Sequence, residues 1–274
     1  MIEWDCRSQA CAAGQAVEIR LELPDGPLCA RAIVEDRPAR LAEVVPIARR
    51  LCDELAGRAF QRAAAAGAMV PCRKGCDACC RYLVPLSPPE AFHLWDGIQR
   101  IAPGPREELL ATFSAAGAKV RAAVGTGLST QMKLRLARRA DGAAMSSVES
   151  WYTRLHLDCP LLAGKLCGMY DDRPLACRGY FVTSPPCYCR DTEAGLGKRL
   201  SLGVQPVQAL CRLTADVEHL PPQAVLLPLA PSWALENLPR ALRTWPLPEL
   251  VSRLADILGR QLQKARQGAR EPAA

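Results

Sequence analysis

Nine of the fourteen cysteines in this 274-residue chain lie in two short windows. The first is Cys72-Arg73-Lys74-Gly75-Cys76-Asp77-Ala78-Cys79-Cys80, and the second runs from Cys159 through Cys167 and Cys177 to Cys187 and Cys189. Cys76 and Cys79 have two residues between them, a spacing that lets successive thiolates converge on one tetrahedral ion. Gly75 can take a positive φ and turn the backbone tightly beneath a metal. The adjacent pair Cys79-Cys80 adds a constraint, because neighbouring side chains diverge on a strand and on a helix alike. The pair therefore suits two metal atoms, or two sides of one cluster, better than a single mononuclear ion. With 78 residues between them, the two windows read as halves of one ligand set. Packing as apolar filler gives no reason for a CxxCC spacing.

A thiolate-rich centre carries net negative charge and needs outer-shell donors. Arg73, Lys74, Arg81, Lys165, Arg173, Arg178 and Arg190 all lie within a few residues of a candidate ligand. His156, three residues before Cys159, is the histidine best placed as a nitrogen ligand or outer-shell donor, whereas His93 sits between Phe92 and Leu94 and reads as a packed residue. Asp171 and Asp172, just before Arg173-Pro174, read as the cap of a short helix carrying Cys177. Cys52, Cys29 and Cys211 lie in apolar patterns and are expected to be structural. Cys6 and Cys11 stand near the amino terminus, outside both windows.

The elements that must position these thiols are mostly helical. Val17, Ile19, Leu21 and Leu23 alternate with charged residues, Pro24-Asp25-Gly26-Pro27 supplies a turn, and Leu28 to Val34 can return as a second strand. Leu41, Val44, Ala48, Leu51, Leu55 and Ala59 then recur at helical spacing, with Pro46 in the first turn or at a kink. Ser87-Pro88-Pro89-Glu90 has the form of a capping box and opens a helix with Leu94, Trp95 and Ile98 on one stripe. A further helix is expected after Gly104-Pro105, another around Ser147 to Leu157, and a terminal one over Leu247 to Leu262 before a polar, frayed tail. The fold class expected is mainly α with a short N-terminal β-hairpin and an irregular, cysteine-rich, metal-tied centre between helices. The boundaries expected are an N-terminal hairpin extension over 1–38, a cysteine-cluster metal-binding domain over 39–200, and a proline-rich and helical extension over 201–274.

Composition narrows the function classes. Hydrophobic residues at 49% and charged residues at 23% are those of a folded globular chain. The formal charge of +7 permits weak polyanion binding without being a nucleic-acid signature, and the Arg135, Arg138, Arg139 run reads as a solvated helix face. The first residues lack the basic start and apolar run of a secretory signal, and the longest uncharged stretch, Leu220 to Leu235, is broken by prolines. The expectation is a cytoplasmic protein with no membrane span, in which clustered cysteines stay reduced and serve metal or redox chemistry. No phosphate-cradling glycine loop, nucleophile elbow or HExxH helix is present in the sequence.

The first window with Arg81-Tyr82-Leu83-Val84-Pro85-Leu86-Ser87 after it, then Cys159-Pro160-Leu161-Leu162, Cys167-Gly168-Met169-Tyr170, Asp172-Arg173-Pro174 and Cys177-Arg178, together resemble the YkgJ-type cysteine-cluster family. The resemblance covers about residues 40 to 190, with Leu161 standing where the family has phenylalanine. It implies a CxxCxxCC domain that chelates zinc or iron, with ligands carried over to Cys72, Cys76, Cys79, Cys80, Cys159, Cys167, Cys177 and Cys189. The last position is a choice between Cys187 and Cys189, and Cys189 matches better. One branch of the wider family, the flagellin lysine methylases, resembles iron–sulfur proteins that use S-adenosylmethionine.

Three functions follow as expectations. The first is a metal-binding protein holding zinc or iron, an iron–sulfur cluster included, with the metal or cluster as its partner and a protein partner of unknown identity. The second is an iron–sulfur enzyme of the lysine N-methylase kind or a redox protein. The third is a zinc-stabilised nucleic-acid module. Thiolate sets suit zinc and iron alike, so spacing does not choose between them.

Overall fold

The computed structural model describes residues 15–124, 152–190 and 197–268. The chain is mainly helical with a short antiparallel hairpin at its amino-terminal end, as the sequence pattern predicts. Strands β1 (Gln15–Leu23) and β2 (Gly26–Val34) pair with Ile19 opposite Ala30 and Leu21 opposite Leu28. The period-two pattern buries Val17, Ile19, Leu21 and Leu23 on one face and leaves the intervening charges exposed. Pro24 and Asp25 form the turn, and Gly26 follows at φ 111°, a conformation that favours glycine.

A 3-10 turn over Leu41–Val44 leads into helix α1 (Val45–Ala65), where Pro46 sits in the first turn and needs no amide partner. Helix α2 (Pro88–Gln99) starts at the expected capping box. Glu90 N–H donates to Ser87 Oγ, and the Glu90 carboxylate accepts from Ser87 N–H at 2.9 Å. Helix α3 (Pro103–Val124) follows, and the helix expected around Ser147 to Leu157 lies outside the described residues as far as Trp151. Two single-turn helices, α4 (Leu175–Arg178) and α5 (Cys187–Arg190), carry cysteines of the second window. Helices α6 (Pro206–Glu218), α7 (Ala230–Glu236), α8 (Leu238–Ala241) and α9 (Leu247–Gly268) complete the described chain.

The largest apolar cluster draws Ile19 and Leu21 from the hairpin, Leu51 and Leu55 from α1, Leu175 from α4, Leu210 from α6, and Leu250, Leu254 and Leu258 from α9. Three short antiparallel pairs staple segments remote in sequence or turn tightly beside the thiols. Strand β3 (Pro38–Arg40) pairs with β8 (Thr244–Pro246), and β4 (Pro85–Leu86) pairs with β7 (Val225–Leu226). Strand β5 (Leu162–Ala163) pairs with β6 (Leu166–Cys167). Helix α9 continues to Gly268, so the residues from Gln263 to there are helical rather than frayed, and Arg266 donates to the Leu23 carbonyl at 2.8 Å. Among the described residues no helix is long and apolar enough to cross a membrane.

Candidate metal centre

The first window has little regular structure and is shaped by turns. Cys76 N–H donates to the Arg73 carbonyl, Cys80 N–H to Asp77 and Tyr82 N–H to Cys79. Gly75 has φ 89°, the tight turn its position in the window predicts, and it faces Leu166 of β6. The second window is brought alongside by its backbone, with Cys159 N–H donating to the Cys80 carbonyl at 2.8 Å. The two-residue turn Gly164-Lys165, both at positive φ, then folds β6 back so that Cys167 pairs with Leu162.

Cys177 arrives on α4, whose position is fixed from α2 and α1. Leu175 N–H donates to Glu90 Oε1 at 2.7 Å, so one fully buried carboxylate caps α2 and anchors α4. Burial pushes the Glu90 carboxyl above its ordinary range. Arg178 binds Asp53 of α1 at 2.7 Å and reaches the Asp171 carbonyl. Asp172 does not cap α4, whose N-cap is Pro174 without a side-chain bond. It accepts instead from the buried Arg49 of α1 at 2.7 Å, because a desolvated guanidinium needs a carboxylate more than a single helical turn needs a cap.

The thiols gather in two groups around Cys79. Cys72, Cys76 and Cys189 pack with Ala78, Val182, Tyr82 and Tyr180. Cys159, Cys167 and Cys177 pack against Leu86, Ile98, Phe113 and Leu161. Cys79 is an electrostatic neighbour of Cys72 and Cys189 on one side and of Cys159 and Cys177 on the other, and its thiol hydrogen-bonds that of Cys80. The surroundings favour the protonated form of Cys72, Cys79, Cys159, Cys177 and Cys189. The bond to Cys80 and then burial raise Cys79, burial and neighbouring sulfurs raise Cys177, and burial takes Cys159 up to about 11. A bound cation reverses this logic by stabilising each thiolate and releasing its proton.

Outer-shell groups fit a thiolate centre. Burial raises the Cys72 and Cys159 thiols, and the nearby amides of Val182 and Leu161 act in the opposite direction by favouring the thiolates. Arg173 lies 4.1 Å from the Tyr170 ring centre and acts as a nearby positive charge on Cys72, Cys79 and Cys177. Its Nε is buried without a hydrogen-bond partner, a donor that a nearby sulfur could satisfy. Arg81 and Arg190 are instead occupied by Asp158 and Asp77. Among the described residues, no group of three or more histidine, cysteine, aspartate or glutamate side chains is arranged to hold a metal ion.

Cys189 is buried in the first group whereas Cys187 is exposed. His156 stands exposed at a left-handed turn with φ 47°. His93 is packed, its Nδ1 3.2 Å from the Ala42 carbonyl and its Nε2 3.2 Å from Arg49. Cys52 and Cys211 are buried on α1 and α6, and Cys29 is exposed on β2. Spacing gave no sign of Tyr82, whose hydroxyl donates to the Cys189 carbonyl at 2.6 Å, or of the Glu90 anchor beneath α4. No family model, curated protein or solved structure matches the chain.

Proposed function

We propose that this chain is a metal-binding protein that holds zinc or iron through thiols from both windows, Cys72, Cys76, Cys79, Cys80, Cys159, Cys167, Cys177 and Cys189. The observation that carries the reading is the backbone hydrogen bond from Cys159 N–H to the Cys80 carbonyl at 2.8 Å, which sets the two windows side by side. The resemblance of its ordered cysteine motifs to the YkgJ-type family supports it. None of the described cysteines forms a disulfide, which suits a reduced cytoplasmic protein. Metal bound here cross-links segments far apart in sequence, so binding free energy becomes stability of the centre.

The test is elemental analysis and a visible spectrum of full-length protein purified without oxygen. Colourless protein with stoichiometric zinc, or brown protein with iron and acid-labile sulfide, is the expected alternative pair. Protein that folds and carries neither metal after exposure to both would overturn the reading.

A further inference from the structure

We infer that the basic and aromatic rim around the cysteine windows is a docking surface for an acidic protein segment that also carries aliphatic side chains. The inference goes beyond the metal-binding reading and does not depend on it, because it concerns side chains outside the sulfur set.

The turn Arg73-Lys74-Gly75 is the hub of this surface. It is exposed, and the cysteines on either side of it, Cys72 and Cys76, pack with Val182 and Tyr180. Val182 forms a β-bridge with Arg199, and Thr183 N–H donates to the Lys198 carbonyl at 2.9 Å, so a segment with two exposed cations runs beside the turn. Arg199 lies 4.8 Å from the centre of the Tyr180 ring. On the other side, Lys74 reaches over the Tyr170 ring at 5.3 Å, where Arg173 also lies at 4.1 Å. Gly75 faces Leu166 of β6, which brings the exposed Lys165 alongside. Cations from separate stretches of chain thus meet on one face.

Neutralisation is what this face lacks. Arg81, Arg178 and Arg190 are paired with Asp158, Asp53 and Asp77. Among the described residues no carboxylate forms an ion pair with Arg73, Lys74, Lys165, Arg173, Lys198 or Arg199. Asp172 is taken by Arg49, which leaves Asp171, next to Tyr170, to offset the excess. Cations stacked on rings lose part of their freedom before a partner arrives, which lowers the cost of a charge-assisted contact. Clustered positive charge of this kind steers acidic partners.

Exposed apolar groups and covered rings choose the class of partner. Leu166 is 51% exposed beside Lys165, and the exposed Tyr188 stands on α5 next to Cys189, which packs with Cys72 and Cys76. An exposed leucine gains by packing against an aliphatic side chain, which a phosphodiester chain does not offer. Single-stranded nucleic acid binds through open aromatic faces on which bases stack. Here Tyr170 carries Lys74 and Arg173, and Tyr180 carries Arg199 with Tyr82 edge-on at 5.5 Å. Carboxylates spaced around an aliphatic residue match both the charge and the leucine.

Fluorescence anisotropy with the full-length protein tests this against three labelled probes of equal formal charge: a peptide of repeating Glu-Glu-Leu units, a polyglutamate peptide and a thymidine oligonucleotide. The Glu-Glu-Leu peptide is expected to bind most tightly and to weaken as salt is raised. Lys74→Glu combined with Arg199→Glu should weaken it by about tenfold or more, since like charges then face the probe. Leu166→Ser should remove its advantage over polyglutamate and leave the salt dependence in place. Arg260→Glu, at an exposed position on α9, should bind as the wild type does. Circular dichroism checks that each variant keeps its helices. Oligonucleotide binding as tight as that of the Glu-Glu-Leu peptide would assign the face to nucleic acid and overturn the proposal. Equal binding of polyglutamate would reduce the face to non-specific charge and overturn it too. So would a wild type that binds none of the probes, or equal losses in Arg260→Glu and the paired reversal.

Discussion

The amide of Cys159 donates to the carbonyl of Cys80 at 2.8 Å, joining the two cysteine windows through backbone alone. The bond does not depend on sulfur chemistry. The windows are thus held together by the fold, with Glu90 and Arg178 fixing α4 behind them. Preorganisation of this kind reduces the ordering cost that metal binding would otherwise carry.

Ligands and structural thiols should separate on substitution. Cys76→Ser and Cys177→Ser are expected to lower metal content sharply, measured by elemental analysis of folded protein. Cys52→Ala should leave it unchanged, because burial holds that thiol at a pKa of about 12 inside the core between α1 and its neighbours. Equal metal loss from all three would count against the assignment.

Arg173→Met should weaken metal retention about 10- to 100-fold in competition with a chelator, the usual range for outer-shell partners. Arg173→Lys should fall between, since it keeps the charge and loses the Nε–H donor. Retention unchanged in Arg173→Met would mean that the guanidinium is held only by Tyr170.

Glu90→Ala should destabilise the protein by roughly 2–4 kcal/mol, because the amides of Ser87 and Leu175 and the Ser87 hydroxyl lose an acceptor in a buried setting. Chemical denaturation measures this. A loss below about 1 kcal/mol would show that water replaces the carboxylate there.

The hairpin and the α2 cap were legible because each is coded locally. Alternation over Val17 to Leu23 sets the strand face, and Ser87 and Glu90 meet within one helical turn. The join between Leu86 and Val225 was not legible, since a two-residue pair has no periodicity and depends on segments far apart in the chain. Asp172 shows a different failure. Its position before Arg173-Pro174 suggested a helix cap, but the buried Arg49 from α1 competes for it and wins. In the site, Gly75 and the two-window arrangement could be read from residue type and spacing. The grouping into trios could not, because it depends on the turn at Gly164-Lys165 and on α5 carrying Cys189 inward while Cys187 faces out.

His93 gives the fold a defined pH dependence. Burial and then the neighbouring Arg49 lower its pKa below the ordinary 6.5, so the folded form holds a neutral ring as the pH falls. The unfolded chain then binds the extra proton, and stability is lost as pH drops from about 6.5 toward the folded value. In His93→Gln this component of the acid loss should vanish from a stability–pH curve, even where the variant is less stable overall. An unchanged slope below 6.5 would assign the loss to other groups.

On the proposed reading, thiols from both windows belong to one metal centre. Differential alkylation followed by mass spectrometry, on oxygen-free protein before and after chelation, tests it most directly. Cys29 and Cys187 should label at once, being exposed, while Cys52 and Cys211 stay protected until the chain unfolds. The eight candidate ligands should be protected in the protein as purified and become reactive in both windows when metal is removed. Labelling of those eight cysteines that is unaffected by chelation would contradict this.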